Sequence, residues 1–322
     1  MPGFAGWPAG GWGRWLRNLK APSSAPWPAP LPRPTPWHIR KEALLLLDFP
    51  LHARRRRRWR AEVGRFYQQA MTRALTQAAE TRVQRGLRVW KMYNMGFVVK
   101  SRNHCVGFDI HPGSRRTGPL SRRQQHRLVE LLEVAFVSHP HFDHLHRGFV
   151  QLMLAAGRKV VLPPRVLPRL KHPNIIRAPR EYKEPIRIGD IEARCFPGWQ
   201  RMLSPNSVYV VTLDGHRVLH NGDNTRHGVY FHLSDAGPID VMLANCWAGF
   251  GLWGHLTGAR LLITGHEHEL SHTVSLRAPF RYTYSKLRRL GLAPADGNPA
   301  PPAGPECHIL NWGEGIDFRP EP

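Results

Sequence analysis

The spacing of apolar residues changes at Leu87. Before it, Val63, Tyr67, Ala70, Met71, Ala74, Leu75 and Ala78 recur every three or four residues. That period predicts an amphipathic helix over about 61–82, with Gly86 closing a segment that spans 61–86. A stripe of this kind is a packing face. After Leu87 the apolar runs are short. Leu87–Met92 and Gly96–Lys100 read as strands around Tyr93-Asn94-Met95, and Cys105–Ile110 as a third strand carrying Asp109 at its end. Arg122–Glu133 is helical and leads into a strand at Val134–Val137. A helix over 147–156, a strand at Lys159–Leu162 and a proline-punctuated stretch to Pro185 follow. Ile186–Phe196 is a hairpin turning at Gly189-Asp190. Ser207–Leu213 and His216–His220 flank Asp214-Gly215, the strongest hairpin signal in the chain. Ile239–Ala244 and Arg260–Thr264 are further buried strands, and a last one lies near His308–Trp312. Strands interleaved with helices, with polar clusters at strand ends, predict an α/β layered domain over 87–319 behind an N-terminal extension, 1–60.

One polar cluster stands out. Ser138-His139-Pro140-His141-Phe142-Asp143-His144 follows the Val134–Val137 strand directly. In a locally extended run, His139, His141 and Asp143 point one way, Pro140 and Phe142 the other, and His144 follows as the chain turns towards a helix. Imidazole and carboxylate are ligand types that suit Zn²⁺, with Mn²⁺ or Fe as alternatives. Four such groups in six residues can serve one or two ions.

Composition adds a strong positive charge, +23 from 46 Lys and Arg against 23 acidic residues. Residues 1–86 contribute +12 of it and 87–322 the remaining +11, so the basic character is densest in the first quarter. Such a field favours anionic partners: a small anionic or ester substrate, nucleic acid, or an anionic membrane face. The arm holds nine prolines and five tryptophans within residues 1–38, and Arg54–Arg58 with Arg60 form a charge block. Proline at that density predicts a disordered or polyproline-like segment, whose tryptophans and bases could touch nucleic acid or a membrane surface. Four widely spaced cysteines form no C-x-x-C pair. They imply no disulfide framework and fit a reducing, cytoplasmic setting. No apolar run approaches a bilayer-spanning length.

The order of Asp109 at a strand end, H-x-H-x-D-H at 139–144, Asp223 in His220-Asn221-Gly222-Asp223 and His266 after a strand resembles the metallo-β-lactamase superfamily. The resemblance covers most of 87–319 and implies an αββα sandwich of the metallo-β-lactamase type. Tyr93-Asn94-Met95-Gly96-Phe97 and Gly265-His266-Glu267-His268-Glu269 are nearest in character to its lactonase-like and phospholipase-D-like hydrolases. The likeness implies His139 and His141 on a first metal, Asp143, His144 and His266 on a second, and Asp223 bridging. Asp109 would orient a ligand histidine through its other ring nitrogen. A third histidine expected for the first metal falls on Trp199 or Gln200, and neither is His. Gln200 can offer a carbonyl oxygen, while His227, His232, His268 and His272 are further imidazoles that could complete the set.

These expectations give a metal-dependent hydrolase of an ester or phosphodiester bond, with Asp143 or Asp223 taking the proton from an attacking water. Two other readings stand beside it: a nucleic-acid-binding protein or nuclease using the basic arm, and a non-catalytic protein of the same fold holding one structural metal.

Overall fold

A computed structural model describes residues 44, 60–113, 120–182, 184–200, 204–247, 250–267, 280–292 and 305–320. The proline- and tryptophan-rich arm and the Arg54–Arg58 block lie outside them.

The helical stripe ahead of Leu87 forms α1 (Arg60–Glu80). Tyr67, Ala70, Met71, Ala74, Leu75 and Ala78 are all buried. Tyr67 meets Trp312 edge-on at 5.3 Å, and Lys100 Nζ donates to the Ala78 carbonyl at 2.8 Å. The helix stops at Glu80, ahead of the expected 82, and residues 81–86 run on without helical structure.

Among the described residues, fourteen strands form two sheets of seven. The first comprises β1 (Leu87–Lys91), β2 (Phe97–Lys100), β3 (Cys105–Phe108), β4 (Val134–Phe136), β5 (Lys159–Leu162), β6 (Ile175–Arg177) and β14 (Gly315–Phe318), in the order 14-1-2-3-4-5-6. The second comprises β7 (Ile186–Ile188), β8 (Ile191–Gln200), β9 (Ser204–Leu213), β10 (His216–His220), β11 (Val241–Asn245), β12 (Leu261–Gly265) and β13 (Glu306–Ile309), in the order 13-12-11-10-9-8-7. Each sheet is half antiparallel and half parallel. The parallel halves are β3-β4-β5-β6 and β10-β11-β12-β13.

One apolar core lies between the sheets. Val89, Phe97, Val106, Phe108 and Phe136 from the first meet Tyr209, Val211, Val218, Leu243 and Ile263 from the second. Helices cover the sheets, which is why Ala135, Val160, Leu162 and Met242 are buried as well and the parallel strands read as continuous apolar runs. α2 (Arg122–Leu131) packs beside α1 and starts on a capping box between Ser121 and Gln124. α3 (Arg147–Ala155) lies on β5, α4 (Phe250–Leu256) beside β11, and α5 (Phe280–Arg289) beside β13. The architecture is an αββα sandwich. Among the described residues no helix is long and apolar enough to cross a membrane.

Two departures from the sequence reading matter for the site. β8 continues past Phe196 to Gln200, and β9 begins at Ser204. Pro197 and Pro205 read as strand breakers, yet they sit opposite Ser207 and Trp199 in an unbroken antiparallel register. The 139–144 segment is also not extended. Residues 142–144 form a turn, with the His144 and Leu145 amides both donating to the His141 carbonyl at 3.0 and 2.8 Å. The last predicted strand near 308–312 is displaced to Glu306–Ile309. β6, β14, α4, α5 and a 3₁₀ helix at His227–Ala236 carry no pattern strong enough to be read beforehand.

Candidate metal centre

Six ligand-type side chains converge where strand ends of both sheets meet. The segment after β4 brings His139, His141, Asp143 and His144, the turn after β10 brings Asp223, and the turn after β12 brings His266. They fall into two groups, His139–His141–Asp223 and Asp143–His144–His266, each with its ligand atoms within 4.8 Å of one another. The turn at 142–144 produces this division. It carries Asp143 away from His139 and His141, where strict alternation would have left it, and sets it beside His144 and His266. Pro140 and Phe142 point outward, as expected.

Asp223 of the first group also reaches the second. Its Oδ2 is 3.6 Å from His139 Nε2 and 3.4 Å from His144 Nε2, and its Oδ1 is 3.1 Å from His266 Nε2. Its turn depends on Gly222 and on three asparagines. The Asp223 amide donates to Asn206 Oδ1 at 3.0 Å, and Asn245 Nδ2 donates to the Gly222 carbonyl at 3.0 Å. The Asn245 amide in turn donates to Asn221 Oδ1 at 3.0 Å.

Hydrogen bonds fix which imidazole nitrogens face inward. Asp109 accepts from the Ser138 amide at 2.7 Å, from Ser138 Oγ at 2.6 Å and from His144 Nδ1 at 2.7 Å. Ser138 Oγ donates to Asp109 and therefore accepts from His139 Nδ1, 2.9 Å away. Both rings thus spend Nδ1 on the supporting network and aim Nε2 at the cluster. Asp109 lies behind His144, on its Nδ1 side, rather than among the inward-facing atoms.

The electrostatics call for a cation. Burial disfavours charge at His144, yet Asp223, Asp143 and Asp109 together outweigh it and hold the imidazole protonated well above its ordinary range. Burial opposes ionisation of Asp223 too, but His266 and His144 keep its carboxyl well below the usual range. Asp143 is likewise depressed against burial, chiefly by His144. His139 behaves oppositely. Burial, helped by His144, pushes it down to about 3, so it is neutral and a competent ligand. Its Nε2 is buried and makes no hydrogen bond to any described residue. Three buried carboxylates that recruit a proton to His144, beside an unspent imidazole nitrogen, fit a divalent ion.

At the third-histidine position the structure distinguishes the two candidates. Alternation along β8 turns Trp199 outward, 41% exposed, and sends Gln200 inward. Gln200 Nε2 donates to Asp223 Oδ2 at 2.7 Å. His227 is exposed and packs on Trp253, and His232 is exposed. His268, Glu269 and His272 lie outside the described residues. Glu267 points away from the cluster, accepting from Thr283 Oγ1 at 3.0 Å, with its other oxygen 3.7 Å from the buried Lys91 Nζ.

One member was missed in the sequence. Asn94, fully buried in the turn between β1 and β2, donates from Nδ2 to Asp143 Oδ2 at 2.8 Å and lies 3.3 Å from His266 Nε2. The Asn94 carbonyl also accepts from the His266 amide at 3.3 Å. The available signal was an asparagine in a tight turn, and its φ of 54° is one that asparagine tolerates.

No protein-family profile matches the chain, and no curated protein matches it in sequence. Solved structures do. Igni18, described as a novel metallo hydrolase from the hyperthermophilic archaeon Ignicoccus hospitalis, is 15% identical, with a TM-score of 0.54 over 73% of this chain and 99% of that one. The metallo-β-lactamase fold protein YhfI of Bacillus subtilis is 13% identical, with a TM-score of 0.50 over 73% and 100%. An isothiocyanate hydrolase from Delia radicum gut bacteria is 12% identical, with a TM-score of 0.52 over 72% and 99%. The chain has the metallo-β-lactamase fold, as the H-x-H-x-D-H resemblance implied.

Proposed function

We propose that this metallo-β-lactamase-fold chain is a metal-dependent hydrolase acting on an ester or phosphodiester bond. The observation that supports this most directly is the convergence of His139, His141, Asp143, His144, Asp223 and His266 in two groups, with Asp223 of the first reaching His144 and His266 of the second. His139, His141 and Asp223 would hold one ion, and Asp143, His144, His266 and Asp223 a second. Zn²⁺ suits the donors, and Mn²⁺ or Fe suits them as well. A bound ion supplies Lewis acidity and makes water a nucleophile near neutral pH.

The chain's own residues do the rest. Asp109 and Ser138 hold His144 and His139 in the tautomer that presents Nε2. Asp223 and Asp143 are the carboxylates that would take a proton from an attacking water. His141 and Gln200 are only partly buried, so the cluster opens to solvent at their edge, beside the exposed Trp199. A substrate entering there meets an aromatic surface before it meets the ligands. The chain's +23 charge favours an anionic one.

The test pairs metal content per chain, by elemental analysis, with hydrolysis of a phosphodiester and lactone panel, for the wild type and His266→Ala. Retained metal and hydrolysis, both lost in His266→Ala, support the proposal. A wild type that keeps no metal after purification in Zn²⁺, Mn²⁺ or Fe²⁺ would sink it. One retained metal without hydrolysis of any substrate would favour a structural-metal protein, a reading that the replacement of imidazole by Gln200 also supports.

A further inference from the structure

Two carboxamides flank the ligand cluster, and both are oriented alike. Asn94 places its NH₂ on Asp143 Oδ2 and beside His266 Nε2, and Gln200 places its NH₂ on Asp223 Oδ2. In each, the carbonyl oxygen is buried and accepts no hydrogen bond from any described residue. A buried amide oxygen without a donor costs free energy. Neither oxygen would lose a described hydrogen bond if the amide turned over.

The positive ends of both amides thus lie against the carboxylates that a divalent ion would approach. Once an ion sits among those carboxylates the preference reverses: the NH₂ is repelled and the carbonyl oxygen is attracted. We infer that Asn94 and Gln200 turn their carboxamide oxygens onto bound ions, Asn94 on the Asp143–His144–His266 side and Gln200 on the His139–His141–Asp223 side. Each side then offers two imidazoles together with carboxylate and carboxamide oxygen. Carboxamide oxygen is a harder donor than imidazole, so the set shifts towards ions with more oxygen ligands, Mn²⁺ and Fe²⁺, relative to a site with three imidazoles. This rests on the metal-centre reading above, and it assigns Asn94 a place on the ion and Gln200 the work of the absent histidine.

A competing role is a fixed N–H donor that merely orients Asp143 or Asp223. Substitutions that keep the oxygen but lose the donor separate the two. Asn94→Asp and Gln200→Glu retain an oxygen, whereas Asn94→Gly and Gln200→Leu retain neither group. Gly and Asp both accept the φ of 54° at position 94, so the fold is not put at risk there. Mn²⁺ binding is followed by the electron paramagnetic resonance signal of the free ion and Co²⁺ binding by visible absorption, with circular dichroism as the check on folding.

The expected result is that Asn94→Gly and Gln200→Leu each weaken one of two binding phases, by roughly 10- to 100-fold. Asn94→Asp and Gln200→Glu should bind as tightly as the wild type or more so, with altered Co²⁺ spectra. Oxygen-keeping variants that weaken binding as much as Asn94→Gly and Gln200→Leu would overturn the inference in favour of donor positioning, and four variants all binding like the wild type would overturn it too. A wild type that binds neither ion would overturn the metal-centre reading itself, a separate outcome.

Discussion

Gly222 lies so close to Ser138 that a Cβ at position 222 would be 2.5 Å from Ser138 Oγ, and equally close to Asn206 Oδ1. Its φ is also +52°, in the region that side chains avoid. The contact locks the Asp223 turn against the network that orients His139. Gly222→Ala is expected to cost at least about 2 kcal/mol in urea unfolding and to weaken metal binding. Unchanged stability together with unchanged metal content would show that the two turns are independent.

Asp109 is the sole carboxylate behind His144 among the described residues, and it also holds Ser138 by two hydrogen bonds. Asp109→Asn keeps the size and suits the backbone φ of 43°. It removes the charge that fixes His144. Metal affinity should fall roughly 10- to 100-fold with an unchanged circular dichroism spectrum. Wild-type affinity in this variant would mean that the tautomer of His144 is set elsewhere.

His111 gives a pH dependence with a definite sign. Burial, reinforced by His146, pushes its pKa down to about 4, and it accepts from the Gly113 amide at 3.0 Å. A depressed histidine stabilises the fold fully above its unfolded pKa, about 6.5, and loses that contribution as pH falls towards the folded value. Between pH 7.5 and 5 the loss is about 2 kcal/mol. Urea midpoints of chelator-treated protein should therefore drop less over that range in His111→Phe than in the wild type. Equal drops would remove His111 from the account.

Lys91 and Glu267 form a pair with both side chains nearly inaccessible, Nζ 3.7 Å from Oε2. Lys91 Nζ also donates to the Thr264 carbonyl at 3.0 Å, which ties β1 of one sheet to β12 of the other next to His266. Lys91→Met alone leaves a buried carboxylate and should cost about 3–5 kcal/mol. Glu267→Gln added to it should recover most of that loss. Additive losses in the double variant would mean that the two charges do not couple.

The reach of the sequence differs from element to element, for physical reasons. α1, β5 and β10 were legible because their apolar patterns were undiluted, and all six candidate ligands sat at the ends of runs that read as strands. Gln200 was legible only as one of two candidates. Choosing it required the register of β8, and Pro197 and Pro205 hid that register by signalling a break. Asn94 stood in a stretch noted for its resemblance, Tyr93–Phe97, but nothing in a Tyr-Asn-Met-Gly turn says that it folds over from the first sheet to touch Asp143 and His266. The division of H-x-H-x-D-H into two groups was hidden as well, since a turn at 142–144 and an extended run use the same residues. β6 lies inside the proline-punctuated stretch and β14 carries only Ile316 and Phe318 as large apolar residues, so neither stood out as a strand.

The pairing of Leu87–Trp90 with Gly315–Phe318 has a consequence for how the protein is made. The first strand of the sandwich acquires its outer neighbour from a segment synthesised more than two hundred residues later. The ligand-bearing loops, from Asp109 to His266, all emerge from the ribosome before that strand does. Contacts so distant in sequence are slow to form, because each closes a long loop before it is rewarded. The nascent chain thus carries a full set of exposed imidazoles and carboxylates on an unfinished sheet. The first sheet is therefore closed on its β1 side only after translation has passed residue 318.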